Sequence, residues 1–155
     1  MTVRAYRVVK AKYAATAFDG EGARLYGGRW NSPGVRVVYV SESLSLSVLE
    51  ILVHLQTNVL LSSYVTFAVE LPETVIEELP TAALPADWRE FPAPPAVRAL
   101  GDAWVARGSS AALRVPSAVL AMEHNYLLNP AHAEFVRLAV SGPEPLDVDA
   151  RVFRR

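Results

Sequence analysis

Cysteine is missing from this 155-residue chain, which removes disulfides, thiolate metal centres and thiol nucleophiles together. Long apolar runs are missing too: 52% of the residues are hydrophobic, yet stretches such as VVYV and AVLAM fall far short of the ~18 residues that a membrane span requires. The apolar content therefore belongs to a core, which a chain of this length can bury as one domain over residues 1–155. Nor is there an excess of either charge. With 15 basic and 16 acidic residues the net charge is -1, whereas binding to a phosphate backbone normally shows as a basic excess, so direct nucleic-acid binding is not expected. The opening MTVRAYRVVKAKY lacks the apolar block of a secretory signal and predicts a cytoplasmic protein. Three signatures of catalysis and nucleotide binding are absent as well: no G-x-x-x-x-G-K-[ST] for a P-loop, no G-x-G-x-x-G for a dinucleotide fold, and no serine in G-x-S-x-G.

What is present reads as a mixture of strands and helices. TVRAYRVVK alternates and predicts a first strand, and VRVVYV at 35–40 is a β-branched run of the buried kind. The period then changes. In SESLSLSVLEILVHLQ, Leu44, Val48, Leu52 and Leu55 recur at helical spacing, and Ser41 or Ser43 can cap the start. SSYVTFAVEL returns to alternation, with Val65, Phe67, Val69 and Leu71 on one face and an end at Pro72. Six prolines between 72 and 95 predict a surface excursion with short turns. AVRALGDAWVARG predicts a helix stopped by Gly108, AALRVPSAVLA a strand broken at Pro116, and EFVRLAV and ARVFRR two late strands. The fold class is α+β.

Two constellations carry chemistry. At ~100° per residue, positions 43, 47, 50 and 54 of the first helix fall within roughly 60° of one another, so Ser43, Ser47, Glu50 and His54 line a narrow polar stripe. Such a stripe either faces water or lines a cleft. A lone carboxylate projecting into a cleft can be held by hydroxyls and can stabilise a developing positive charge, whereas His54 reads as a structural hydrogen-bonding residue. The second is LYGGRWNSPG at 25–34, a loop that holds one cation between residues of special backbone geometry. Arg29 either sits in solvent or stacks on Trp30, or, with Gly27 and Gly28 allowing close approach, forms an anion site. Further on, MEHNYLLNPAH gathers Glu123, His124, Asn125, Tyr126, Asn129 and His132, but without a familiar two-His metal spacing, and its Asn-Pro reads as a turn.

Taken in order, YRVV, YGGRWNSPG, VVYVSESLSLSVLE, RVPSAV and NYLLNPAH closely resemble the RES family, named for its Arg, Glu and Ser, whose members are toxins of bacterial RES–Xre toxin–antitoxin pairs. The resemblance covers almost the whole chain and is weakest from about 72 to 108. It implies a compact α+β domain similar to ADP-ribosyltransferases, with a split β-sheet around an NAD-binding cleft. The implied activity is NAD degradation, by hydrolysis as an NAD glycohydrolase or by phosphorolysis as an NAD phosphorylase. Carried over by position, the catalytic set falls on Arg29, Glu50 and Ser117, and Tyr39 matches an aromatic residue of the same pocket. Tyr26 and Arg7 match frequent family residues on the substrate side, and Asn125 is assigned to the adjoining turn. On this view Arg29 holds phosphate, Tyr39 stacks on or fences the nicotinamide, Ser117 hydrogen-bonds its amide or the ribose, and Glu50 binds ribose hydroxyls. NAD is then substrate and not cofactor, no metal is implied, and inorganic phosphate enters as co-substrate in the phosphorolytic case. The implied partner is an Xre-type antitoxin that blocks the cleft and takes over DNA binding, with a homodimer of the toxin allowed inside that complex. A mono-ADP-ribosyltransferase acting on a protein and a non-catalytic nucleotide-binding module remain open as alternatives.

Overall fold

The alternation in TVRAYRVVK is strand β1, Thr2–Lys10, in a computed structural model that describes residues 1–54 and 63–153. A 3-10 turn at Ala11–Thr16 and a short helix α1, Glu21–Tyr26, follow it, so the glycine loop begins at the end of a helix and not at the end of a strand. Strand β2, Val38–Ser41, is shorter than VRVVYV suggests. Val35 is drawn out of it: its N–H donates to Ser32 O at 3.1 Å and its carbonyl accepts from the Asn31 side chain at 3.0 Å. Helix α2, Leu44–Leu52, is capped by Ser43, whose hydroxyl accepts the Leu46 N–H at 3.1 Å. Leu55, expected on the same helix, lies outside the described residues. Strand β3, Tyr64–Pro72, ends at its proline with Phe67, Val69 and Leu71 buried and Val65 half-buried.

The proline-rich stretch makes short turns as expected, and it also contains a strand that the prolines obscured: β4, Ile76–Glu78, pairs in parallel with β5, Ala112–Pro116. Helix α3, Pro95–Arg107, starts on a proline and stops at Gly108, which has φ 61°. Strand β6, His124–Leu128, falls where the sequence shows only a polar cluster and a turn. Strand β7, Ala139–Pro145, begins later than EFVRLAV suggests, and the described part of ARVFRR, Ala150–Phe153, forms a 3-10 turn instead of a strand. Side-chain capping explains both departures: His132 Nδ1 accepts the Glu134 N–H at 3.0 Å, and Asp149 Oδ1 accepts the Arg151 N–H at 2.9 Å. Each offers the backbone a local turn in place of a ladder.

The strands form one sheet in the order β4-β5-β6-β2-β1-β3-β7, antiparallel except at β4–β5. β1 runs against β3 from Thr2↔Pro72 to Lys10↔Tyr64, yet it meets β2 at the single pair Tyr6↔Ser41. Period-2 alternation then sorts the side chains onto two faces. Ala5, Val38, Val40, Val69, Tyr126 and Leu128 pack together on the first face. The second face carries two separate apolar clusters. One, with Trp30, Trp104, Val97, Leu113, Val115 and Leu127, lies under α3 and the glycine loop; the other, with Leu44, Val48, Ile51, Val8 and Tyr64, lies under α2. Between them, continuing the alternation of Leu127, Tyr39 and Val115, come Asn125, Ser41 and Ser117. The polar centre of this face is therefore set by strand phase.

Gly101 of α3 lets the glycine loop settle on the sheet: a Cβ there would stand 1.7 Å from the Trp30 carbonyl oxygen. Gly101→Ala must push α3 and the loop apart, and such overpacking costs about 1–3 kcal/mol. Urea denaturation is expected to show that loss; an unchanged midpoint would mean the two elements separate freely.

Candidate active site

The LYGGRWNSPG loop is tied down by Asn31. That side chain is fully buried, its amide donating to the carbonyls of Ala23 at 2.8 Å and Val35 at 3.0 Å while its Oδ1 accepts the Tyr39 hydroxyl at 2.5 Å. The Tyr39 oxygen in turn accepts the Trp30 N–H at 3.1 Å. Gly28 is required by this arrangement, since a Cβ there would lie 2.7 Å from that oxygen. Asp102 of α3 holds the far side of the loop, accepting from Ser32 N–H at 2.8 Å and Ser32 Oγ at 2.6 Å. Burial raises the pKa of Tyr39 above the ordinary tyrosine value, so the hydroxyl stays protonated and keeps its donor role.

Arg29 emerges from this platform half-buried. Its Nη1 donates to Trp88 O at 2.8 Å and Glu90 O at 3.0 Å, both in the proline-rich stretch, and Trp88 leans on Trp30 with ring centroids 6.3 Å apart. Among the described residues its Nε and Nη2 carry no hydrogen bond. Burial lowers its pKa while the negative field of Glu50 and the proximity of Tyr39 act in the opposite direction, and a guanidinium remains cationic through such shifts. The loop arginine is thus presented as an oriented cation that senses Glu50.

Glu50 comes from the opposite wall. The stripe Ser43, Ser47 and Glu50 faces the sheet and not water: Ser47 is buried and donates to Tyr6 O at 3.0 Å, and Ser43 donates to Glu123 Oε1 at 3.1 Å. His54 leaves the stripe, exposed beyond the end of α2 with its ring tilted against Phe91 at 5.9 Å. The Glu50 carboxylate reaches across to β5 and β6, where Oε1 accepts from Ser117 Oγ at 2.7 Å and from Asn125 Nδ2 at 2.9 Å. Ser117 is fully buried and Asn125 nearly so, and Asn125 Oδ1 accepts the Ser41 hydroxyl at 2.7 Å. Glu50, Ser117, Asn125 and Ser41 make one connected network, with Arg29 and Tyr39 beside it.

Two expected substrate residues lie outside this network. Arg7 shares the first face with Ala5, where its Nε donates to Ala17 O at 2.6 Å and its Nη1 to Tyr39 O at 2.9 Å, filling the seam at which β1 and β2 part. Burial brings its pKa down to about 10, which leaves it cationic at neutral pH. In the structure Arg7 ties β1 to the carbonyls of Ala17 and Tyr39. Tyr26 is 84% exposed at the end of α1, just before the loop. Asn125, assigned to a turn, belongs to β6 and to the centre; the missed signal is that it precedes buried Leu127 by two residues. His124 lies on the other face against Arg114, with Nη2 3.1 Å from Nδ1, and Asn129 makes the turn that its Asn-Pro predicts. Among the described residues no helix is long and apolar enough to cross a membrane.

Comparison with known proteins adds to this geometry. The family model for the RES domain matches residues 4–149. The chain is 40% identical to "Toxin Res" of Yersinia enterocolitica over 141 residues, covering 91% of this chain and 92% of that protein. It is 36% identical to a Sphingobium protein named "Prs ADP-ribosylating toxin", covering 79% and 78%. The fold is similar to a chain in the crystal structure of the M. tuberculosis MbcT-MbcA toxin-antitoxin complex, with a TM-score of 0.77, 20% identity, and coverage of 94% of this chain and 85% of that one.

The Tyr39 hydroxyl yields a prediction with a pH signature. Tyr39→Phe leaves the Trp30 N–H and Asn31 Oδ1 without that partner inside the protein, at a cost of about 1–3 kcal/mol at neutral pH. Above about pH 10 the tyrosine of the unfolded chain ionises while the folded one, with its raised pKa, stays protonated, so wild-type stability falls as pH rises. The variant lacks this response. The stability gap between the two proteins, measured by urea denaturation, is expected to narrow at alkaline pH; a widening gap would mean that Tyr39 ionises readily beneath the loop.

Proposed function

The chain belongs to the RES-domain family, and we propose that it is the toxin of a bacterial toxin–antitoxin pair that destroys NAD by breaking the nicotinamide–ribose bond. The observation that carries this reading is the Glu50 carboxylate, held at Oε1 by two neutral donors while a loop cation, Arg29, stands close enough to sense its charge. NAD has the complementary pattern: an anionic pyrophosphate and a nicotinamide ribose whose positive charge spreads onto the sugar as the bond lengthens. Arg29 binds the pyrophosphate with the N–H groups not engaged by Trp88 and Glu90. Glu50 engages the ribose hydroxyls and stabilises the spreading charge, an interaction strongest in the transition state. The bonding electrons leave with nicotinamide, which departs neutral, so no general acid is needed. Water, which gives up a proton to solvent, or inorganic phosphate then bonds to the ribose carbon, giving ADP-ribose or its phosphorylated counterpart. Tyr39 supplies a wall beside the nicotinamide, and Tyr26 a rim contact. The names of the relatives support the toxin reading.

A second reading is favoured by the Sphingobium relative's name: the same centre passes ADP-ribose to a protein. It differs only in the acceptor. In either case the producing cell needs protection, and the M. tuberculosis fold neighbour was solved with an antitoxin. For this chain the proposed partner is an Xre-type antitoxin that covers the cleft and places a carboxylate against Arg29, where it replaces the substrate's phosphate.

Incubating purified protein with NAD, with and without phosphate, and measuring nicotinamide and product mass tests the reading. Nicotinamide without labelled protein is expected. Glu50→Gln keeps the size and removes the charge, and is expected to lower kcat by about 100-fold or more; Arg29→Ala is expected to raise KM more than it lowers kcat, because a pyrophosphate contact exists in ground and transition states alike. Full turnover by folded Glu50→Gln protein would remove the carboxylate from the mechanism. In cells, expression is expected to drain NAD and stop growth unless the adjacent gene product is co-expressed; arrest with level NAD would point to another target.

A further inference from the structure

Glu50 has two carboxylate oxygens, and the fold treats them differently. Oε1 accepts from both Ser117 and Asn125, whereas Oε2 accepts from no group among the described residues. The proton inventory shows how fixed this is. A serine hydroxyl has one proton and two lone pairs. At Ser117 the lone pairs receive the N–H groups of Val119 and Leu120, each at 3.1 Å, so the proton is left for Glu50. At Asn125 the Ser41 hydroxyl donates to Oδ1 at 2.7 Å, which fixes the amide; turned over, it would set a carbonyl oxygen against a carboxylate. Ser117 has no exposed surface, and its own N–H donates to Glu123 O at 2.9 Å. Substrate reaches that hydroxyl only if the Glu50 side chain swings away or the turn from 117 to 120 comes apart.

We infer that Ser117 and Asn125 are positioning residues that pin Oε1 of Glu50 and leave Oε2 as the oxygen that meets the substrate, with Ser41 holding Asn125 in the donating orientation. This rests on the reading of Glu50 as the charge-stabilising group, and it reassigns Ser117 from substrate contact to support. Oε1 is saturated by two short bonds and Oε2 retains its lone pairs, so one carboxylate is both anchored and free. A carboxylate held by a single donor could rotate about its last bond and exchange the two oxygens.

The distinguishing experiment removes Glu50 first. Glu50→Ala protein is expected not to turn NAD over, so binding of NAD itself can be measured by calorimetry, and adding Ser117→Ala or Asn125→Ala is expected to change the dissociation constant by less than about twofold. In protein that retains Glu50, Asn125→Ala is expected to lower kcat by about 10- to 100-fold with KM nearly unchanged, because a displaced group loses alignment and not affinity. A tenfold loss of NAD affinity on adding Ser117→Ala to Glu50→Ala would overturn the inference, and so would an unchanged kcat in Asn125→Ala. Ser117→Ala strips two N–H groups of their acceptor and can unfold the turn, so Asn125→Ala, checked by thermal melting, keeps the test decisive. One arm uses no substrate: the Asn125 side-chain amide resonance, followed by 15N NMR, is expected to move in Glu50→Ala, and an unmoved resonance would overturn the clamp. Wild-type protein that releases no nicotinamide would instead sink the proposed function, while the NMR arm still decides whether the clamp exists.

Discussion

The structure depends on a carboxylate that crosses a seam. Helix α2 rests on the part of the sheet formed by β1 and β3, and its Glu50 bonds to Ser117 and Asn125 at the ends of β5 and β6, beyond the single-pair junction of β1 with β2. Both partners are neutral donors. Had an arginine or lysine closed the bond, the negative charge would be consumed in a partly buried ion pair, whose desolvation cost rivals its Coulomb gain. Neutral hydrogen bonds to an ionised acceptor are strong enough to fix geometry and leave the net charge in place. The same contact thus joins two parts of the fold and keeps an anion available for chemistry.

The opposite charge is kept available by a different device. Arg29 is neither paired with Glu50 nor left to wander: two backbone carbonyls take one of its nitrogens, and Asn31, Tyr39 and Asp102 fix the loop that carries it. The usual entropic cost of ordering an arginine on binding is largely met in advance. A cation and an anion held apart by separate frameworks suit a substrate that is anionic in one part and cationic in another. A direct salt bridge between them would suit neither.

Much of this was legible because it follows local rules. Ser43 as cap, Pro72 and Pro116 as strand ends, Gly108 as stop and the helix that carries Glu50 are all written in short-range chemistry. Motif order also singles out Arg29, Glu50 and Tyr39, which the fold brings near one another. Strand β6 was not legible, because HNYLL has neither β-branched residues nor clear alternation; it is a strand because β2 and β5 pair with it on both sides. The role of Asn125 was lost with it, since a residue's face cannot be assigned before its strand is known. The Arg7 position follows from strand phase too: once Ala5 is on the first face, Arg7 is as well.

The stretch from about 72 to 108, which carries none of the quoted family motifs, touches Arg29, the turn after Ser117 and the end of α2, and the kind of contact it uses explains why sequence says so little about it. Trp88 and Glu90 hold Arg29 through their carbonyls, Arg89 donates to the carbonyl of Ala118 beside Ser117 at 3.0 Å, and Phe91 meets His54 at the end of α2. A carbonyl is present on every residue, so the grip on Arg29 specifies a backbone path and hardly any side chain. Prolines restrict such a path by fixing φ and by limiting the residue before them, whatever the intervening residues are. Side chains there can therefore change while the carbonyls stay in place, provided the path is kept. The glycine loop is under the opposite constraint, because the Tyr39 hydroxyl bonds the Asn31 side chain and leaves no room for a Cβ at Gly28. One wall of the cation site is thus specified residue by residue and the other by backbone course, and only the first leaves a motif to read.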